Sequence, residues 1–474
     1  MQQEQFSSIF TLQLPFEATN DQSVFIQKIS HFIIHKETSE LFVLKGYAGT
    51  GKTSLIGALV NVLPSISMKS LLMAPTGRAA KVMSKYSKQP AFTIHSKIYK
   101  LEPDAFGNIK FSIQANKYTN TLFIVDEASM IGDSYESDGN LFGGRSLLED
   151  LFSFVYSGEN CKLLLVGDTA QLPPVKLEGS PALDIEYLSS SFGMNIDSVE
   201  LKEVMRQADL SGILINATKL RLQMLEMKSG FPAFEVDGFS DIERLPGSEL
   251  QEALQQSYTT YGADETIVIC RSNKRANIYN QQIRALIRWQ ESDISIGDYL
   301  MVVRNNYHWL ASDSKADFIA NGDTVIITRI KKREEMYGFA FADVTLKMID
   351  YEDEEFDAKI ILNSIMSESA SLTYDENKKL YESVLADYME IQNKSLRYQK
   401  IKKDPYYNAL QVKFAYAVTC HKAQGGQWKS VFVEQGYLTD EMINIEFLRW
   451  LYTALTRATE KLYLVNFKNE FFKT

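Results

Sequence analysis

Gly46-Tyr47-Ala48-Gly49-Thr50-Gly51-Lys52-Thr53 follows the apolar run Leu41-Phe42-Val43-Leu44 and precedes a helix-like stretch, Ser54–Val62. The spacing is G-x-x-x-x-G-K-[ST], and strand, glycine loop and helix form the context that a phosphate-binding loop needs. Glycines let successive backbone N–H groups curl around phosphate oxygens, and the helix that follows turns its positive end toward them. On this spacing Gly49, Thr50 and Gly51 belong to the cradle, Lys52 reaches the β- and γ-phosphates, and Thr53 holds Mg²⁺. The octet implies an α/β fold that binds a nucleoside triphosphate, and leaves open what the energy is used for.

Outward from the octet, short β-rich apolar runs alternate with helical patterns, as parallel α/β layers require. The runs are Leu41–Leu44, Leu71–Ala74, Leu122–Val125 and Leu163–Val166 in the first half. In the second half they are Thr266–Ile269, Phe414–Val418, Val431–Val433 and Leu462–Val465. Most lead into a polar or glycine-containing loop, where open α/β sheets place ligands. Two sheets with one nucleotide site between them are therefore expected. Two insertions interrupt the pattern. Ile98–Asn120 contains the hairpin-like turn Phe106-Gly107-Asn108-Ile109. Ser295–Leu410 alternates around Tyr299–Val303 and Thr324–Ile330, with the turn signal Asn321-Gly322-Asp323 between them, and reads as a small β-barrel. It also holds the acidic run Asp350–Asp357 and a charge-rich helical stretch near Tyr374–Lys400. The expected division is 1–97 with 121–200, the hairpin insertion 98–120, 201–294 with 411–474, and the barrel insertion 295–410.

The chain has 474 residues, 45% of them apolar, enough for three or four compact units. No apolar stretch approaches the length that spans a bilayer, and the first residues lack the basic and apolar regions of a signal peptide. Cys161, Cys270 and Cys420 are odd in number, far apart and without metal spacing, which fits a reducing cytoplasm; the five histidines form no metal constellation either. A net charge of −10 alone argues against a polyanionic ligand. The distribution argues the other way. Lys69–Lys100 carries seven Lys or Arg, Arg271–Gln290 five and Pro405–Val433 three, all without an acidic residue. Such stripes suit a groove that tracks a phosphate backbone, although a charge run by itself is more often a solvated face.

Asp126-Glu127 follows the run Leu122–Val125, which puts two carboxylates at a strand's C-terminal end. Asp126 suits the Mg²⁺ shell, and Glu127 the activation of an attacking water. Val166-Gly167-Asp168 leads into Thr169-Ala170-Gln171-Leu172-Pro173-Pro174, a loop stiffened by its prolines, from which Gln171 can sense the γ-phosphate through a water. Phosphoryl transfer also needs cations for the developing charge. Arg206 in Val204-Met205-Arg206-Gln207 and Arg457 in Thr456-Arg457-Ala458 lie outside the first sheet's sequence, so they would reach the nucleotide across a cleft.

Taken in order, these stretches resemble superfamily 1 helicases, most closely the 1B group that includes the RecD-like, Dda-like and Pif-like DNA helicases. The matching motifs are GYAGTGKT, APTGRAA (Ala74–Ala80), FTIHS (Phe92–Ser96), VDEASM (Val125–Met130), VGDTAQLPPV (Val166–Val175), MRQ (Met205–Gln207), TCHKAQGGQW (Thr419–Trp428) and YTALTRA (Tyr452–Ala458). The resemblance implies two RecA-like domains, a small hairpin insertion and an SH3-like β-barrel insertion. It implies ATP and Mg²⁺ as cofactors. It casts Gln22 as the residue that reads adenine and Gly425 as a nucleotide contact. Lys52, Thr53, Asp126, Glu127 and Gln171 become the γ-phosphate, metal and water-positioning set, and Arg206 and Arg457 the two arginine fingers. Pro75, Thr76, His95, Thr419 and His421 fall in motifs that line the single-strand path. Phe106, or Phe111, becomes a wedge against the last base pair. The implied activity is an ATP-dependent 5′→3′ DNA helicase that translocates on single-stranded DNA and unwinds duplex at single–double-strand junctions. It would work as a monomer, with replication or repair proteins as possible partners. An RNA-directed helicase and a nucleotide-gated nucleic-acid clamp are the alternatives. The chain departs from the family at Gln427, where many relatives carry Glu, and in having 45 residues before the loop where longer RecD-like enzymes carry a large extension.

Overall fold

The computed structural model describes residues 2–35, 40–103, 109–133, 146–204, 210–228, 230–311, 314, 318–349, 351 and 354–473, with 101–103 and 109–111 described as backbone. Six parallel strands form the first sheet, in the order Ala91–Thr93, Lys69–Ala74, Thr121–Val125, Lys162–Gly167, Leu41–Gly46 and Ile196–Leu201. Side chains alternate across a strand, so a sheet covered on both faces needs continuous apolar runs. Phe42 and Leu44 accordingly pack with helices Gln3–Leu12, Asn20–Ile34 and Lys52–Val62. Leu41 and Val43 pack on the opposite face, against helix Leu147–Tyr156.

The second sheet is also parallel, in the order Ala417–Thr419, Thr266–Cys270, Trp428–Glu434, Ala458–Val465 and Ile242–Leu245. Between its strands lies a closed barrel of Tyr299–Val302, Thr324–Met336, Phe339–Met348, Glu355–Ile361 and Leu410–Phe414. The apolar run 414–418, expected as one strand of the second sheet, serves two sheets. Phe414 ends the barrel's last strand, and Ala417 begins the edge strand of the second sheet. Asn280 makes this break: its side-chain oxygen accepts the N–H groups of Tyr416 and Ala417 at 3.0 and 2.8 Å. The Tyr416 ring is fully buried there, and its hydroxyl donates to Asp298 at 3.0 Å.

The smaller insertion is an antiparallel pair, Tyr99–Pro103 with Ile109–Ile113. The helical stretch folds into Tyr374–Asp387 and Lys394–Lys402, which pack on the outer side of the barrel through Leu380, Val384 and Ile401 against Phe339, Phe341 and Ile361. The fold is thus two RecA-like parallel sheets with a hairpin and a β-barrel inserted. Among the described residues no helix is long and apolar enough to cross a membrane.

Candidate active site

Strand Leu41–Gly46 runs straight into the glycine loop. Gly49 and Gly51 take φ of +77° and +83°, a region closed to most side chains. Gly49 is also closely covered: a Cβ there would lie 3.3 Å from Leu214 Cδ1 in the second lobe and 3.3 Å from Val204 Cγ1, just after the first sheet's edge strand. Helix Lys52–Val62 starts immediately after. The Lys52 ammonium lies inside the loop, donating to the Gly46 and Tyr47 carbonyls at 2.6 and 3.0 Å. Thr53 opens onto the same cleft, a space of about 330 Å³ walled by both lobes.

Two carboxylates enter from the end of strand Thr121–Val125. Asp126 Oδ1 accepts the Glu127 N–H at 2.8 Å, and Oδ2 accepts the hydroxyl of Tyr86 at 2.6 Å. Burial and the Glu127 carboxylate push the Asp126 carboxyl up, while its hydrogen bonds and Lys52 work against them. Glu127 has φ +53°, a left-handed conformation that costs a non-glycine residue of order 1 kcal/mol or more and is characteristic of functional sites. Across the cleft, Arg457 stands at the start of strand Ala458–Val465 and is 3% exposed. Its guanidinium donates to the carbonyls of Thr453 and Gly426 at 3.0 and 3.2 Å, which aims Nη1 to within 3.6 Å of Glu127 Oε1. Gly425, at φ +72°, lines the cleft where a Cβ would come within 2.8 Å of Ala79 Cβ.

The Gly167–Val175 loop is held by the second lobe. Leu172 N donates to Thr453 Oγ1 at 2.8 Å, and Gln424 donates to the Leu172 carbonyl at 2.7 Å. Tyr452, fully inside the interface, donates its hydroxyl to Asp168 at 2.6 Å and accepts the N–H of Ala48 from the phosphate loop at 2.8 Å. One phenol therefore joins the phosphate loop, the Gln171 loop and the second lobe. Tyr47 makes a similar bridge. It donates to Glu200 at 2.6 Å while the second-lobe Arg221 lies 4.3 Å from its ring centre, and burial with the Glu200 bond pushes its hydroxyl up to about 12.

The remaining expected residues fall in several places. Gln22 is fully buried in a capping box with Thr19, and its amide also donates to the Thr50 carbonyl at 3.0 Å, so it anchors the phosphate loop from behind. Pro75 and His95 line a groove of about 1150 Å³ between the first lobe, the barrel and the helical stretch, beside Arg304, Tyr374 and Lys378. Burial lowers the His95 pKa to about 4, and its ring packs near Tyr99 and Phe318. Thr76 caps helix Gly77–Ser87 and lines a separate cleft between the lobes. Thr419 borders a small recess beside Lys422, and His421 is exposed on helix Cys420–Ala423. Arg206 and Phe106 lie outside the described residues, and Phe111 is described as backbone in strand Ile109–Ile113.

Much of the basic stripe Arg271–Gln290 proves structural. Arg275 pairs with Glu434 at 2.6 Å, Arg284 with buried Asp298 at 3.0 Å, and Arg288 donates to the Gly297 carbonyl at 3.0 Å. The neutralising groups sit outside the stripe in sequence, so charge counting along the chain could not find them. Motif spacing also passed over Tyr86 and Tyr452. Tyr452 opens the motif YTALTRA. Tyr86 shares a helix face with Ala79 and Val82, at the three- and four-residue steps that put all three on the cleft.

Fold and cleft define a two-lobed P-loop nucleotide-binding protein whose site is closed by an arginine from the second lobe. The family described as an AAA domain matches residues 26–231, and the UvrD-like helicase C-terminal domain matches residues 414–465. The chain is 25% identical over 426 residues to the ATP-dependent RecD2 DNA helicase of Deinococcus radiodurans, covering 89% of this chain and 46% of that protein. It is 24% identical over 428 residues to the ATP-dependent DNA helicase dda of Enterobacteria phage T4, covering 84% of this chain and 88% of that one. The Pif1 helicase from Bacteroides, solved in complex with ADP-AlF3 and ssDNA, aligns over 97% of this chain and 95% of its own at 15% identity and a TM-score of 0.48. By these sequence matches the chain is similar to RecD2 and dda, both ATP-dependent DNA helicases, and it spans about half the length of RecD2.

Proposed function

We propose that this chain is an ATP-dependent DNA helicase that moves 5′→3′ along single-stranded DNA and opens duplex at junctions. The observation that carries the proposal is the reach of Arg457 from the second lobe to within 3.6 Å of Glu127 on the first, which makes hydrolysis depend on how the two lobes meet. Lys52 and the loop amides bind the phosphates, Gln171 positions water, and Glu127 takes its proton. Thr53 and Asp126 offer the hard oxygen donors that suit Mg²⁺, which when bound would offset the charge on the phosphates. Arg457, with Arg206, stabilises negative charge that grows in the transition state, so ATP favours closure and its hydrolysis favours release. Gln22 exchanges its capping bond for the adenine base.

The strand occupies the groove of Pro75 and His95, with Thr76, Thr419 and His421 contributing from neighbouring edges and Phe106 as the wedge. Groove cations Arg304 and Lys378 suit a phosphate backbone, and exposed Tyr374 offers a face for a base. Cys161, Cys270 and Cys420, odd in number and far apart in sequence, suit work in a reducing cytoplasm.

The test is ATP-driven unwinding of two otherwise identical duplexes, one with a 5′ single-strand tail and one with a 3′ tail. Unwinding of the 5′-tailed duplex alone is expected. Opening of the 3′-tailed one alone overturns the direction, and inactivity on both overturns the helicase assignment.

A further inference from the structure

A second cavity, of about 230 Å³, lies behind the nucleotide cleft on the other side of the Gly167–Val175 loop. Its walls carry Lys45, Ser129, Thr169, Gln171, Ser180 and Arg449, and it shares Asp168 and Gln171 with the cleft. Lys45 faces Gly167 in the strand register, and a Cβ on Gly167 would lie 2.7 Å from Leu183 Cδ1 and 3.0 Å from Ser129 N. Glycine thus lets these walls close to their observed spacing.

Ser180 donates to the Ala128 carbonyl at 3.5 Å and Thr169 bonds the Tyr47 hydroxyl, but other polar groups of this cavity are left over once internal pairing is counted. Ser129 is 1% exposed, and among the described residues its hydroxyl has no hydrogen-bond partner; the same holds for Gln171 Oε1. Burying such a group unpaired costs about 1–3 kcal/mol; the Ser129 hydroxyl can donate to an anion, whereas Gln171 Oε1 only accepts and suits a water or a protonated oxygen. The Lys45 ammonium makes no close ion pair or hydrogen bond among the described residues. Against the effect of burial, its charge helps to hold down the pKa of its register partner Glu200, whose carboxylate is bonded by Tyr47 and Lys202 at 2.6 and 3.1 Å. Arg449 gives one N–H to the Glu178 carbonyl at 2.7 Å and keeps the rest of its fork. The carboxylates nearby are engaged instead. Asp168 accepts from Tyr452 and from Ala170 N, and Asp184 from Tyr187 N. Two cations and the Ser129 hydroxyl around a space that also admits a few waters, each about 30 Å³ in the liquid, suit a tetrahedral oxyanion.

We propose that this cavity receives the inorganic phosphate produced by hydrolysis on its way out, an assignment that rests on the cleft being a hydrolytic site. After cleavage the diphosphate still occupies the loop and Lys52, and Arg457 with the Gly425–Gln427 turn stands on the second-lobe side. The freed phosphate then meets the wall made by Gln171. That wall is movable, because its loop is pinned to the second lobe through Leu172, Thr453 and Gln424. Lobe opening therefore draws Gln171 aside and lets phosphate pass toward Lys45 and Arg449.

The test compares wild-type full-length chain with Lys45→Met and Ser129→Ala on single-stranded DNA in single turnovers. Quenched-flow reads cleavage, and a fluorescent phosphate sensor reads release. Lys45→Met should leave cleavage unchanged and slow release about tenfold, the scale of one charge-assisted contact, with a smaller slowing for Ser129→Ala. Phosphorus NMR of inorganic phosphate, with ADP saturating the loop, needs no turnover. Line broadening by the wild type that disappears in Lys45→Met supports the site even if ATP hydrolysis is absent, a result that would instead remove the hydrolytic assignment. Release at the wild-type rate in both variants, cleavage slowed in step with release, or broadening unaffected by Lys45→Met overturns the proposal.

Discussion

The two sheets share an architecture and differ in what their strand ends carry. In the first, strand Leu41–Gly46 opens into a glycine loop, and strand Thr121–Val125 delivers Asp126 and Glu127 to open space beside it. In the second, strand Thr266–Cys270 passes to helix Asn273–Leu286 through Ser272, which caps it, and strand Trp428–Glu434 ends in a carboxylate already paired with Arg275. One lobe therefore presents a phosphate cradle and two acids, one of which draws its cation from the other lobe. The other neutralises its own acid and sends out Arg457. Similar sheets become unequal partners because the chemistry resides in short loops at strand ends, which can change without disturbing the packed layers.

Lys52→Ala tests the first lobe most severely. It should abolish ATP hydrolysis and unwinding while single-strand binding by fluorescence anisotropy stays near wild type; surviving hydrolysis would put the cradle elsewhere. Arg457→Ala tests the second lobe's contribution. Turnover should fall about a thousandfold with little change in ATP affinity, since an arginine finger acts mainly in the transition state. A loss confined to affinity would reduce Arg457 to an ordinary anchor.

Tyr452→Phe probes the joint between the lobes, removing the bonds to Asp168 and Ala48 while keeping the packed ring. Turnover should drop about tenfold at nearly constant strand affinity, the worth of one or two buried hydrogen bonds. Unchanged turnover would show that packing alone joins the lobes. Tyr86→Phe frees one oxygen of Asp126. The Mg²⁺ concentration that half-saturates binding of a fluorescent ADP should shift about threefold, and an unmoved midpoint would separate Tyr86 from the metal.

A separate test, on stability rather than turnover, concerns His95. Its folded pKa of about 4 lies below the ordinary 6.5, so the unfolded chain binds the proton first as pH falls from 6.5 toward 4. Stability should decline across that window by up to about 3 kcal/mol more in wild type than in His95→Gln, read as the difference between their urea midpoints at each pH. Parallel curves would mean that His95 is protonated as readily in the folded protein as in water.

Most of the first lobe's cleft was legible because its chemistry is local. A glycine loop, a carboxylate pair after an apolar strand and a proline-stiffened loop each complete themselves within about ten residues, where spacing alone decides geometry. The second lobe was less legible. Its edge strand Ile242–Leu245 is short and half polar, and 414–418 hides a change of sheet that depends on Asn280, more than 130 residues away. The basic stripe misled because Glu434 and Asp298, which neutralise Arg275 and Arg284, are distant in sequence.

By itself, then, the sequence determined the phosphate loop, the acidic pair, the two parallel sheets and the family they resemble, since each is written in contiguous patterns. Tertiary structure alone decided that Arg457 meets Glu127, that Tyr452 ties Asp168 to Ala48, and that Tyr86 holds Asp126. These contacts span 40 to 404 residues, and such pairings arise from how packed layers meet rather than from any local preference.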